Sequence, residues 1–388
     1  MRIEPVTAFD ECAEGQVAAR PALRVAWEAG FDFRAAEYER LFESSDATAF
    51  QHPLWLHRLY RNVAPPIRAE PLVVTLRDGA TGRLAAVLPL VRRNRGLLRM
   101  VEFADFGLTD YAGPVCGRDE WKRLVREPTL SRAMLRALRP FDLLRIAKLR
   151  EDGPDLRPLF GSASHSVMPA AAHEVALHGA FPEWRADRMT ASLRKELDQK
   201  RKRLGRKGEI LFACLRDPAS IELALTSLRE FRRSRFESRA ETDVLADGAM
   251  FDFYRGVAVD GAASGFARTY TLAFDGRPVA VVFGIAHAGR FMVLLSAFDN
   301  TFRKSSLGYL LFEDIVADCI ARGDAVFDLT IGNEGYKQDL GARPTRLFEI
   351  RASGSAIGLA ADLCLRQEWV KKLVKRSLAG PAPGLPPS

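Results

Sequence analysis

Backbone N–H groups at a turn in the second half of the chain could bind a diphosphate. The turn follows a continuously apolar run from Phe291 to Phe298, which is typical of a strand buried on both faces. Apolar residues at helical spacing come next and predict a helix that ends at Gly323. A helix that begins on small residues leaves its first N–H groups free for a pyrophosphate. The candidate residues of this turn are Arg303, Lys304, Ser305, Ser306, Leu307, Gly308 and Tyr309.

Carboxylates at two nearby positions could take up a proton during a transfer reaction. Asp299 lies where the central strand ends, and Glu334 lies in the loop that follows the next predicted strand, so both are candidate general bases. Asp328 interrupts a buried apolar strand and needs a partner there, which favours an orienting role. The 6 histidines do not pair with carboxylates at metal-ligand spacing, and no Ser-His-Asp grouping is present. We therefore expect no metal.

The elements that must position these residues form a regular series. Two apolar runs, Thr271 to Phe274 and Val279 to Ala288, flank an Asp-Gly turn and predict a hairpin. The central strand, the helix and a strand from Ala325 to Ile331 follow in order. The series of hairpin, central strand, helix and further strand predicts an α/β class.

This series, with the Ser-Ser-Leu-Gly turn and the later Tyr-Lys-x-x-Leu-Gly segment, resembles the core of the GNAT acyltransferase superfamily. The usual family form of this turn has two positions that are occupied by Gly or another small residue. This turn departs from that form, because Gly308 alone fills such a position with Gly or Ala. The variant looks more like the CelD-type acyltransferases, named for cellulose biosynthesis, and their relatives the Fem peptidyltransferases. The resemblance implies a mixed, mostly antiparallel sheet flanked by helices, with a central strand that splays from its neighbour. It also implies acetyl-coenzyme A, or another acyl-coenzyme A, as co-substrate, with its pantetheine arm in the gap.

The resemblance also implies roles for two residues after the last strand of the series. A tyrosine in this segment often protonates the departing thiolate in GNAT enzymes, so Tyr336 is the candidate acid. Fem-type enzymes carry a lysine that stabilises charge in the transition state, and Lys337 takes that position. A core aromatic residue and a surface lysine are the alternatives for these two positions. Many enzymes of the superfamily use water instead of a fixed base.

The first half of the chain has a similar order of predicted elements without the turn or the Tyr-Lys segment. Runs at 72–76, 84–91, 96–103, 111–115 and 141–149 are strand candidates. We therefore predict tandem GNAT-like domains of which only the second retains the cofactor turn. The predicted boundaries are a leader at 1–22, a first domain at 23–180, a basic linker helix at 181–208, an acyltransferase domain at 209–352 and a helix with a Pro-rich tail at 353–388.

The positive charge of the chain is concentrated in one segment. The net charge is +8, and residues 185–208 carry ten basic and three acidic residues, a local charge of +7. This concentration of charge is compatible with a solvated helix face or with a nucleic-acid contact. It is also compatible with a site for coenzyme phosphates, for a sugar-nucleotide diphosphate or for an acidic lipid face. No aromatic residues interleave with the cations, so we do not expect DNA binding.

The 5 cysteines are far apart and form no CxxC motif, which favours a reducing compartment. Neither a signal peptide nor an apolar run of spanning length is evident, so a cytoplasmic protein is expected, with peripheral membrane contact left open.

The expected function is an acyl-CoA-dependent N-acyltransferase, most simply an N-acetyltransferase. By family analogy the acceptor is a small molecule or glycan precursor, such as an amino sugar in exopolysaccharide or envelope synthesis. A Fem-like transferase that uses aminoacyl-tRNA is the alternative enzyme. A non-catalytic scaffold of a polysaccharide-synthesis complex is the alternative outside enzymes.

Overall fold

A computed structural model describes residues 23–366 except residue 162, residues 238–242 and residue 333. The leader and the Pro-rich tail predicted from sequence lie outside the described residues. Strands in the described part of the chain are β1 (Arg24–Glu28), β2 (Glu70–Arg77), β3 (Leu84–Arg95), β4 (Leu98–Phe103), β5 (Leu143–Arg150), β6 (Ser164–Ala176), β7 (Ile210–Leu215), β8 (Ala267–Phe274), β9 (Arg277–His287), β10 (Arg290–Phe298), β11 (Val326–Ile331) and β12 (Arg343–Ser353).

Helices occupy most of the connections between these strands. They are α1 (Ala36–Glu43), α2 (Pro53–Arg58), α3 (Arg118–Leu124), α4 (Leu130–Leu138), α5 (Phe181–Arg188), α6 (Ala191–Gly205), α7 (Pro218–Glu237), α8 (Gly248–Ala262), α9 (Leu307–Ala321) and the short α10 (Tyr336–Asp339). Residues 356–366 begin a further helix. The basic linker predicted as one helix is two, because Met189 is extended and the Thr190 side chain caps the start of α6.

All of these strands belong to one sheet, in the order β1-β2-β3-β4-β5-β12-β6-β11-β10-β9-β8-β7. Neighbours are antiparallel except at two places, where β4 pairs with β5 and β10 pairs with β11 in parallel. The predicted class, a mixed and mostly antiparallel sheet flanked by helices, is confirmed.

The two halves of the chain exchange strands at the centre of the sheet. β6 comes from the first half and pairs with β11, whereas β12 comes from the end of the second half and pairs with both β5 and β6. No strand was predicted over Ser164–Ala176. Its sequence, SHSVMPAAAHEVA, is poor in β-branched and aromatic residues, so its conformation depends on its partners on either side.

Apolar side chains of the sheet alternate between the helices on its two faces. On β9, Val281 and Phe283 pack in a cluster with α1, α2, α7 and α8, while Val282 packs in a cluster with α5, α6 and α9. This period of two places α9 and the basic helix α6 on one face of the second half and α7 and α8 on the other.

Candidate functional site

A gap opens between β10 and β11 at the centre of the second half. Their pairing covers only Arg290–Met292 against Val326–Asp328, although β10 continues to Phe298. The register of β10 against β9 also shifts between Val293 and Leu295, which re-aims the strand. Thr330 has a left-handed backbone and its hydroxyl donates to the Val293 carbonyl at 3.0 Å, across the start of the gap.

The predicted cofactor turn lies at the end of β10 and leads directly into α9. Asp299 caps a 3-10 turn over Asn300–Ser305, and Ser306 adopts a left-handed backbone with φ 50° before α9 begins at Leu307. The Tyr309 N–H, at 3.0 Å, and the Leu310 N–H donate to the Ser306 carbonyl. The N–H groups of Leu307 and Gly308 therefore precede the first bonds of the helix, as an anion site at a helix start requires.

Space in front of Gly308 suits the close approach of a ligand. A methyl group added there would meet only the Phe298 ring, at 3.8 Å, and the backbone of Gly308 is helical. Glycine in a helix lowers stability by up to about 1 kcal/mol relative to alanine, so the fold alone does not require it. These features fit the diphosphate of a coenzyme A molecule.

A lysine from the basic segment reaches the same turn. The Lys200 ammonium on α6 donates to the Ser306 hydroxyl at 2.6 Å, and Arg201 fixes α6 to α9 through Asp314, at 2.9 Å, and the Leu310 carbonyl. Arg303 and Lys304, predicted near the phosphates, lie exposed on the turn. Sequence reasoning named the cationic segment as one candidate for coenzyme phosphates but did not single out Lys200.

The Tyr-Lys segment folds as α10 and docks beside the start of α9. The Tyr336 ring stacks on Phe312 of α9 at 5.5 Å, and the Tyr309 hydroxyl donates to Asp339 at 2.5 Å. Burial raises the pKa of Tyr336, with a further contribution from Glu334, and so keeps its hydroxyl protonated at neutral pH.

Lys337 is buried, with 1% exposure, so it is not a surface lysine. Its ammonium donates to the Thr330 carbonyl at 3.3 Å and pairs with Glu334 at 3.1 Å. Lys337 thus contacts the end of β11 through the Thr330 carbonyl, and the hydroxyl of the same threonine bonds to β10 at the start of the gap. The cofactor turn and the Tyr-Lys segment, distant in sequence, are brought together around α9.

The carboxylates considered as bases are engaged in different ways. The Asp299 side chain accepts from the Thr301 N–H at 2.8 Å and so acts as a cap. Glu334 is exposed and paired with Lys337. Asp328 is fully buried and accepts from the Tyr111 hydroxyl at 2.7 Å and from Arg290 at 3.0 Å, which satisfies the need for a partner expected from sequence.

Asp110 is a carboxylate at the gap that sequence reasoning missed. Its side chain is 25% exposed, lies beside the Thr330 hydroxyl and is 3.9 Å from the Lys148 ammonium. Burial raises the pKa of Asp110 to about 6, against the lowering effect of Lys148. No local motif marked it, since it comes from the first half of the chain and meets Thr330 only through the fold.

In the first half, the parallel strands β4 and β5 correspond to β10 and β11, and the gap beyond their short pairing is filled by residues 112–115. The β4–β5 pairing covers Met100–Glu102 only, and the following segment crosses it, with bridges from Ala112 to Leu149 and from Val115 to Val87. The strand predicted over residues 111–115 is wrong, because these residues make isolated bridges instead of a ladder. The segment that fills the gap carries both Asp110 and Tyr111 to the second half.

Comparison with known families identifies the part of the chain that holds the turn and the Tyr-Lys segment. Residues 191–338 match the family described as acetyltransferase (GNAT) domain. This part of the chain is similar to a GNAT acetyltransferase domain. None of the curated proteins compared with the chain is significantly similar to it in sequence.

Solved structures share the fold over most of the chain. A conserved protein of unknown function from Bacteroides thetaiotaomicron VPI-5482 is 11% identical, with a TM-score of 0.55 over 85% of this chain and 100% of that one. FemX is 10% identical, with a TM-score of 0.56 over 81% and 94%. L-PGS from Bacillus licheniformis is 15% identical, with a TM-score of 0.52 over 90% and 99%. At these identities the similarity concerns the fold alone.

The described residues contain no group of three or more His, Cys, Asp or Glu side chains arranged to hold a metal ion. None of their helices combines the length and the apolar character needed to cross a bilayer.

Proposed function

We propose that the protein is an acyl-CoA-dependent N-acyltransferase, most simply an N-acetyltransferase. The arrangement that carries the proposal is the gap between β10 and β11, which opens beside the free N–H groups of Leu307 and Gly308. Backbone amides and the Lys200 ammonium would bind the diphosphate, and the pantetheine arm would lie along the unpaired edge of β10.

Three side chains, Asp110, Tyr336 and Lys337, share the proton transfers and the stabilisation of charge. Bound acyl-coenzyme A supplies an activated acyl group, whose C–S bond breaks as the acceptor amine forms a new C–N bond. Asp110 accepts the proton that the amine loses, since a pKa near 6 leaves it ionised at neutral pH. Tyr336 gives its proton to the thiolate that leaves. The Lys337 ammonium, which is bonded to the Thr330 carbonyl, stabilises the negative charge that develops in the transition state.

A calorimetric titration of acetyl-CoA tests the proposal. We expect binding by the intact protein and none by Gly308→Glu, whose carboxylate would lie in the phosphate turn while the fold stays intact. Equal binding by both proteins would show that the turn is not the site, and no binding by either would exclude acetyl-CoA.

The outward face of α6 favours one second candidate, a Fem-like transferase that uses aminoacyl-tRNA. Lys195, Lys202 and Arg203 on α6, and Arg206 and Lys207 directly after it, are exposed, as a contact to an RNA backbone would need. Tight binding of charged tRNA without binding of acetyl-CoA would support this candidate. Absence of both would leave the scaffold role in a polysaccharide-synthesis complex.

A further inference from the structure

A cavity of about 400 Å³ lies between strands β3 to β5 of the sheet and the start of α8. Its charged lining comes from Arg93 and Arg95 on β3, Arg145 on β5, Glu102 and Asp105, and its apolar lining includes Phe103, Phe106 and Met250. The volume is in the range of small-ligand sites, and aromatic walls with a few charged groups are typical of them.

The cavity carries an excess of positive charge. Glu102 is shared by Arg93, at 3.0 Å, and Arg95, at 3.5 Å, so one carboxylate opposes two guanidinium groups. Arg145 pairs with Glu349 at 2.9 Å, and Glu349 also pairs at 3.2 Å with Arg351, which has a second partner in Asp362 at 3.0 Å. Asp105, the other acid of the lining, is bound by the Lys148 ammonium at 2.9 Å. A ligand with an anionic group would complete this set.

The same lysine connects the cavity to the candidate catalytic residues. Lys148 lies between Asp105, in the cavity wall, and Asp110, at 3.9 Å, and Asp110 lies beside Thr330 at the start of the gap. Lys148 thus bridges the cavity wall and Asp110. The Arg93 guanidinium is held over the Phe106 ring at 5.9 Å, which fixes its direction.

We propose that this cavity binds a phosphate group of the acceptor through Arg93, Arg95 and Arg145, so that the acceptor is a phosphorylated amine. The inference rests on the proposed acyl transfer for the role of the cavity, but not for the binding itself. Guanidinium groups bind phosphate oxygens in pairs, and three of them, from the two strands that flank β4, suit a phosphate better than a neutral amine.

The test compares glucosamine 6-phosphate with glucosamine, two amines that differ only in the phosphate, by calorimetry on the full chain. We expect the phosphorylated amine to bind at least about tenfold more tightly, as one charge-assisted contact would give. Arg93→Ala and Arg95→Ala should each reduce this preference about tenfold and leave glucosamine binding unchanged. Each variant keeps the other arginine on Glu102, so neither leaves that carboxylate unpaired.

A matched control is Arg83→Ala, which removes the same charge from an arginine that is 62% exposed and outside the cavity. Equal affinities for the two amines, a preference unaffected by both variants, or no binding of either amine would overturn the proposal. Titration of acetyl-CoA separates the two proposals. A retained phosphate preference without acetyl-CoA binding would overturn the acyl transfer alone, and the reverse result would overturn the cavity assignment alone.

Discussion

At the scale of single residues, stability and ligand binding make opposite demands on position 308. Gly308 has a helical backbone and room for a methyl group, so nothing in the folded chain explains a glycine there. A ligand approaching the helix start does explain it. The distinction can be measured, because a mutation that improves the fold should weaken binding.

Gly308→Ala should therefore raise the free energy of unfolding, by up to about 1 kcal/mol, while weakening acetyl-CoA binding about tenfold. Thermal unfolding and calorimetry on the same preparation measure the two effects. Gly205→Ala, near the end of α6 with open space around it, is a matched helix control that should leave binding unchanged. Unchanged binding by Gly308→Ala would contradict the proposed approach of the ligand.

Lys337 is buried against the Thr330 carbonyl, and its charge should matter for the reaction more than for the fold. Lys337→Met keeps the length of the side chain and removes the charge, so kcat should fall by ~10²–10³. The Kd for acetyl-CoA should change little. Gln338→Met, an exposed neighbour on α10, should leave kcat unchanged. A Lys337→Met variant that keeps full activity would assign the lysine a structural role.

Asp110 should give both activity and stability a dependence on pH. As proton acceptor it must be ionised, so kcat/KM should fall about tenfold per pH unit below a pKa near 6. Its folded-state pKa is raised, so the stability it contributes is fully present below about pH 4 and lost as the pH rises through 6.

Asp110→Asn removes the carboxyl group whose ionisation lowers stability as the pH rises. The Tm of this variant should therefore exceed that of the parent protein above pH 6 but not at pH 4. Its activity should be low at every pH, because Asn cannot accept the proton. Differential scanning calorimetry and a rate profile provide the measurements. A variant that is active and shows no pH-dependent gain in Tm would place the proton acceptor elsewhere.

At the scale of elements, the order of strands and helices in the second half followed from sequence, and the contacts between elements did not. The central strand was predicted from Phe291 to Phe298 and is observed as Arg290–Phe298, because apolar runs and Asp-Gly turns are local signals. Ser164–Ala176 forms a strand only because β11 and β12 flank it, and Lys200 meets Ser306 across 106 positions of sequence. Such long-range pairing has no local signature.

The docking of α6 on α9 makes a specific prediction for Lys200. If its ammonium contacts a bound diphosphate, Lys200→Met should weaken coenzyme A binding by roughly ten- to hundredfold, as expected for a charge-assisted hydrogen bond. Binding of pantetheine, which lacks the phosphates, should not change. Lys195→Met alters an exposed lysine of the same helix and serves as control. An equal effect on pantetheine would mean that Lys200 supports the fold of the turn instead.

At the scale of the whole molecule, strand exchange couples the two halves that sequence predicted as tandem domains. β11 pairs along one edge with β6 from the first half, and β5 pairs along one edge with β12 from the second half. Buried polar contacts cross the same boundary, since the Tyr111 hydroxyl and Arg150 both approach Asp328. Removing one partner of such a buried polar group typically lowers the free energy of unfolding by about 1–3 kcal/mol. Each half would therefore be destabilised if it were separated from the other.

We therefore expect the intact chain to unfold in a single calorimetric transition, with a van't Hoff enthalpy equal to the calorimetric enthalpy. A fragment of residues 181–352, which spans the predicted linker and second domain, should show no cooperative transition, because β11 would lose β6 and expose its edge. A fragment of residues 160–352 restores β6 and should recover part of the cooperativity. Two separate transitions in the intact chain, or a 181–352 fragment that unfolds cooperatively and binds acetyl-CoA, would show instead that the halves are independent domains.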